Sequence, residues 1–177
     1  YQDIDDYLRE VIQPEPKGKV FNEESLTFRD IYVPMEIQRL DQLGKPKNEP
    51  VDDLETWVNE HLMGVTEEPA VLFIQGEAGR GKSVFCRMFA DWVRESLCPA
   101  YIPVLIRLRQ IKTLEGSLTQ TLANCLETRD FVTSDSGWLT DDNTRFLFLL
   151  DGFDELLLEG RESGGLKEFL QQVEQFQ

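Results

Sequence analysis

Gly76-Glu77-Ala78-Gly79-Arg80-Gly81-Lys82-Ser83 constrains this chain more than any other stretch, because it is a full match to the phosphate-loop pattern G-x-x-x-x-G-K-[ST]. With glycine near 7% of residues, such a match arises by chance in a chain of this size roughly once in a hundred. Its context adds weight. An apolar run over 70–74 precedes it and predicts a buried strand. Behind it, Val84, Phe85, Met88, Phe89, Trp92 and Val93 recur at i, i+3, i+4 spacing and predict an amphipathic helix over 82–97, whose aromatic stripe reads as core. A tight glycine turn between strand and helix lets the backbone N–H groups from Gly79 to Ser83 converge on phosphate oxygens, and the helix offers its positive end to the same anion. The expected nucleotide-contacting set is Gly76, Gly79, Arg80, Gly81, Lys82, Ser83 and Val84, with the Arg80 side chain itself facing solvent. Lys82 is expected to reach the β- and γ-phosphates, where it also serves catalysis, and the Ser83 hydroxyl to take one position on Mg²⁺.

Two further apolar runs, 102–106 and 146–150, are continuous rather than alternating. Continuous apolarity fits strands covered on both faces, hence a parallel sheet between helices, with further helices expected over 114–126 and 166–176. The fold class is α/β, three layers deep. The last run continues into Asp151-Gly152-Phe153-Asp154-Glu155. Strands of a parallel sheet end on one edge, which brings Asp151 toward the phosphate loop as a magnesium carboxylate. Asp154 and Glu155 follow within a turn and are positioned to orient or deprotonate an attacking water, although Glu155 also suits a helix cap.

Composition excludes several classes. The 177 residues carry 18 basic and 33 acidic side chains, a net charge of −15, which argues against nucleic acid or an anionic membrane as the main partner. Apolar runs of five residues are far shorter than the roughly 20 that a membrane span needs. Cys86, Cys98 and Cys125 fit neither a disulfide framework nor a metal spacing, and a reducing cytoplasm is the expected setting. His61 reads as an ordinary half-buried or capping histidine. The first 50 residues form an acidic lead-in: a short helix with Ile4, Leu8, Val11 and Ile12 on one face, stopped by Pro14 and Pro16, an extended piece over 26–34, and a solvated loop over 44–50. Asp52 and Asp53 start a helix that Gly64 ends. The expected division is 1–50 as lead-in and 51–177 as the α/β domain.

With both motifs in hand, the chain resembles the NACHT family of STAND-class P-loop NTPases, bacterial type. The family's second motif has a small residue after the magnesium aspartate and two later acids, as in Asp151-Gly152-Phe153-Asp154-Glu155-Leu156. The stretch Asp30-Ile31-Tyr32-Val33-Pro34 is similar to the family segment that encloses adenine, which makes Tyr32 and Val33 candidates for that pocket. The resemblance implies ATP and ADP as ligands with Mg²⁺, Asp154 as the foremost base, and a nucleotide-operated switch that hydrolyses ATP slowly and forms homo-oligomers in signalling or defence. It also implies five core strands, of which three are legible, so the chain is expected to be the N-terminal part of the domain, weak or inactive by itself, with effector and sensor domains elsewhere. The chain starts at Tyr1 rather than Met, in keeping with that expectation.

Rival readings make distinct demands. An AAA+ remodelling ATPase places glutamate directly after the aspartate, where this chain has Gly152. A GTPase needs N-K-x-D, which is missing. A transporter ATPase needs an L-S-G-G-Q-like signature, and Ser163-Gly164-Gly165 is only a glycine-rich link. A small-molecule kinase needs an arginine-bearing lid, which the polar stretch 128–143 lacks. The non-enzymatic alternative is a truncated scaffold with no bound nucleotide.

Overall fold

A computed structural model of the chain describes residues 3–41, 43–50, 52–64, 71–110 and 145–152. The helices expected over 114–126 and 166–176, the polar stretch 128–143, Cys125, Asp154 and Glu155 lie outside the described residues.

Helix α1 (Ile4–Tyr7) begins at Asp3, whose carboxylate accepts the Asp6 N–H at 2.8 Å, and continues as a π-helical turn over Leu8–Ile12. Pro14 and Pro16 then confine the chain to a 3₁₀ turn, Glu15–Lys17. The piece expected to be extended over 26–34 instead opens with helix α2 (Phe28–Ile31). The cause is local: the Asp30 carboxylate accepts both the Thr27 N–H (2.8 Å) and the Thr27 hydroxyl (2.6 Å), closing one turn that β-propensity alone would have kept open. These bonds hold Asp30 below the usual carboxylate range. The backbone is extended at Thr27 before this turn and again from Tyr32 after it.

Strands β1 (Glu36–Ile37) and β2 (Asp52–Asp53) pair antiparallel across the exposed 38–50 loop. Helix α3 (Leu54–Met63) follows, with the Asp53 carboxylate accepting the Thr56 N–H at 2.8 Å, and it ends at Gly64 as expected. His61 lies exposed on its last turn, with Nδ1 2.7 Å from the Trp57 carbonyl and its ring against Trp57.

Helix α4 (Lys82–Ser96) is the central element. Phe85, Phe89 and Val93 are buried against Leu54 and Val58 of α3, while Ala90 faces a second cluster with Tyr7, Leu8 and Ile12. The Phe85 and Phe89 rings stack 5.1 Å apart, and Trp92 stacks on Phe89 from the surface. Fully burying each such side chain is worth about 1.5–3 kcal/mol, which sets the helix rotation.

Strand β3 (Ile102–Arg107) pairs in parallel with β4 (Phe146–Asp151), from Ile102 opposite Phe146 to Arg107 opposite Asp151. The expected double-sided burial holds for β3, whereas β4 is half-buried along its length. The strand expected over 70–74 is a correction: among the described residues, 71–75 has no ladder partner and remains irregular. Leu72 and Ile74 still pack against the Phe85–Phe89 cluster, but Phe73 points outward, so one face of the segment is covered rather than two. A strand is defined by its ladder bonds, and apolarity alone does not supply them.

The lead-in belongs to the same core. Tyr7, Leu8 and Ile12 pack with Ile102, Val104, Leu105, Ile106 and Leu108. The Tyr7 hydroxyl accepts the Leu105 N–H at 3.1 Å, joining the lead-in to the β3 backbone. Further along, the buried Asp91 of α4 accepts from Arg29 of the lead-in at 3.0 Å and from its helix neighbour Arg94 at 2.8 Å.

Candidate phosphate and metal site

Two of the loop glycines adopt a backbone that only glycine takes without strain. Gly79 (φ 77°) and Gly81 (φ 85°) occupy the left-handed region, where a side chain would be strained. Gly81 immediately precedes α4, and no side chain caps the helix, leaving its first N–H groups for an anion. Lys82 folds back over the loop: Nζ donates to the carbonyls of Gly76 (2.5 Å) and Glu77 (3.0 Å). The Lys82 stem stays close to the first glycine of the loop, where a Cβ on Gly76 would lie 3.8 Å from Lys82 Cδ. Arg80 is exposed and pairs with Glu77 at 3.0 Å, as its solvent-facing reading requires. Val84 is half-buried in the first helical turn.

Sixty-eight residues further along the chain, Asp151 meets this loop. The Ser83 hydroxyl donates to Asp151 Oδ1 at 2.8 Å. Parallel pairing explains the meeting: β4 ends at Asp151 on the sheet edge where α4 begins. Among the described residues, no three His, Cys, Asp or Glu side chains converge. The Ser83 hydroxyl and the Asp151 carboxylate are hard oxygen donors of the kind Mg²⁺ takes, an ion that keeps most of its octahedral shell for phosphate oxygens and water. Next to the aspartate, Gly152 has φ 87°. In this chain the position favours glycine, and a glutamate there would carry left-handed strain.

These observations concern a segment that also matches a known family. The NACHT domain family model covers residues 70–173, well over half the chain, including the phosphate loop and Asp151. The chain belongs to the NACHT family. It therefore carries a nucleotide-binding P-loop NTPase module of the STAND type, in agreement with the described parallel strand pair and phosphate loop. Human NACHT, LRR and PYD domains-containing protein 10 is 31% identical over 115 residues, which cover 60% of this chain and 17% of that protein. The chain thus matches under a fifth of that relative's length. No solved structure matches.

Tyr32 and Val33, which precede the matched residues 70–173, have different surroundings. Tyr32 is half-buried with its hydroxyl bonded to the Glu55 carboxylate, and burial beside that acid pushes the phenol well up. Val33 is 73% exposed. Two residues on, Met35 is the side chain that approaches the loop: a Cβ on Gly81 would lie 3.6 Å from its sulfur. No pattern in the sequence singled out Met35.

Three other charged residues cluster near the Ser83–Asp151 pair and were also missed. Arg87 follows Ser83 by one helical turn, and Arg107 is the register partner of Asp151. Both donate to Glu15 of the lead-in, Arg107 through Nη2 at 2.6 Å to each carboxylate oxygen. The i, i+4 spacing of Ser83 and Arg87, and the place of Arg107 at a strand end, were legible signals. Glu15 left none. Cys86, on the same turn, has its thiol pushed up to about 12, first by burial and then by the Asp151 charge.

Proposed function

We propose that the chain is the ATP/ADP-binding module of a STAND-type signalling NTPase, acting as a nucleotide-dependent switch. The single observation that carries this reading is the Ser83–Asp151 hydrogen bond, because it joins the phosphate loop to the carboxylate of the second motif. Residues 51–177 supply the NTPase portion and 1–50 a lead-in packed onto it.

Gly76, Gly79, Arg80, Gly81, Lys82, Ser83 and Val84 bind the phosphates, chiefly through backbone N–H groups, with Lys82 exchanging its loop carbonyls for phosphate oxygens. Tyr32 and Val33 line the adenine side, where Met35 adds a polarizable contact. Ser83 and Asp151 would hold Mg²⁺, which when bound neutralises charge on the phosphates. Asp154, helped by Glu155, orients the attacking water and takes its proton, giving slow ATP hydrolysis in the longer protein. A switch of this type assembles with copies of itself through the NTPase domain and works in the cytoplasm. No described helix is long and apolar enough to cross a membrane.

Calorimetric titration of ATP, ADP and GTP into the chain with Mg²⁺ tests the reading. ATP and ADP bind, GTP binds more weakly, and Lys82→Ala weakens the adenine nucleotides by roughly tenfold or more, the scale of one charge-assisted phosphate contact. Equal binding by Lys82→Ala and the unaltered chain removes the proposal and leaves the scaffold reading.

A further inference from the structure

Glu15, Arg87 and Arg107 form an ion cluster directly behind the Ser83–Asp151 pair, although Glu15 is 72 and 92 residues from its partners in sequence. Their side chains are only 10%, 18% and 19% exposed. Arg107 and Asp151 are register partners at the ends of parallel strands, so their side chains leave the same face of the sheet. Arg87 lies one turn below Ser83 on the same side of α4. Burial lowers the Arg87 pKa, and the charges around it are Glu15, Arg107, Asp151 and Arg109. Two carboxylates and three guanidiniums therefore share one corner of the molecule.

The division of partners inside this corner is specific. Glu15 takes both Arg87 and Arg107, while Asp151 takes the Ser83 hydroxyl. A guanidinium bound to Asp151 would compete with a divalent cation for the same oxygens, since both seek the carboxylate lone pairs. We propose that Glu15 is a positioning residue for the metal edge: it holds the Arg87 and Arg107 guanidiniums away from Asp151 and so keeps that carboxylate open to a divalent cation. The inference rests on the reading of Ser83 and Asp151 as the metal-binding pair. It also gives the lead-in a role in the nucleotide site, because a displacement of the 15–17 turn would hand two guanidiniums to Asp151.

The test is Mn²⁺ affinity of the full chain with ADP bound, read from the free Mn²⁺ signal in electron paramagnetic resonance. Glu15→Gln weakens Mn²⁺ roughly five- to tenfold, the effect of one uncompensated charge at a few ångströms' remove in a partly screened site. Arg107→Met tightens Mn²⁺ by a similar factor, and in that background Glu15→Gln weakens Mn²⁺ only about twofold, because one of the two guanidiniums it would release is gone. ADP affinity measured in EDTA stays within about twofold throughout. Shifts of Glu15→Gln and Arg107→Met in the same direction, no shift in either, or a Glu15→Gln loss of equal size with and without Arg107 overturn the proposal, because plain removal of a negative charge weakens a cation regardless of the arginines. If Glu15→Gln fails to fold, Arg107→Met decides: unchanged or weaker Mn²⁺ binding overturns it. An unaltered chain that binds ADP in EDTA but no Mn²⁺ sinks this inference alone, whereas one that binds no ADP sinks the nucleotide reading as well.

Discussion

A single backbone angle at Gly152 shows why this chain carries glycine directly after Asp151. At φ 87°, the residue after Asp151 lies where only glycine is unstrained. Gly152→Glu, which installs the AAA+ arrangement, is expected to cost about 1–2 kcal/mol of folding stability by urea titration, from left-handed strain alone. Gly152→Ala should lose a similar amount, since the penalty belongs to the Cβ rather than to the charge. A glutamate variant that matches the unaltered chain would mean that the turn relaxes. The glycines of the phosphate loop follow the same logic, and Gly81 has a second constraint in the Met35 sulfur beside it.

Helix α4 and strand β3 carry most of the architecture, and both were legible because their signals are local. Six apolar side chains at helical spacing specify α4, and continuous apolarity over 102–106 specifies β3. What escaped was decided by groups distant in sequence or by one short-range bond outweighing propensity. The one-turn helix α2 exists because Asp30 caps Thr27, although Ile31, Tyr32 and Val33 favour extended chain. The 71–75 segment has a strand's composition, but among the described residues nothing forms its ladder. At the site, Lys82, Ser83 and Asp151 stand out by motif, whereas Glu15 and Met35 reach it only through the fold. The contact between Tyr7 and Leu105 gives a direct measure of that long-range contribution. Tyr7→Phe deprives the buried Leu105 N–H of the hydroxyl acceptor and should cost about 1–3 kcal/mol in chemical denaturation.

Taken as a whole, the molecule is acidic, with a net charge of −15, yet its buried ion networks are rich in arginine. Arg29, Arg87, Arg94 and Arg107 all bind acids, and those of Arg29, Arg87 and Arg107 tie the lead-in to the α/β core. The apolar faces of Tyr7, Leu8 and Ile12 complete the junction. Removing residues 1–17 would uncover Ile102, Val104 and Ile106 and free the Leu105 N–H, so light scattering should detect stronger concentration-dependent self-association than in the full chain. The same junction pairs the Glu15 carboxylate with Arg87 and with Arg107, the register partner of Asp151, and under the proposal above this is how the acidic segment would bear on the nucleotide site. The central claim is that Ser83 and Asp151 together make the metal side of a nucleotide site. Its most direct test is ATP affinity with Mg²⁺ and with EDTA, for the unaltered chain and for Asp151→Asn. The prediction is that Mg²⁺ strengthens ATP binding at least about tenfold in the unaltered chain and has little effect in Asp151→Asn. Equal dependence on Mg²⁺ in both proteins would contradict it.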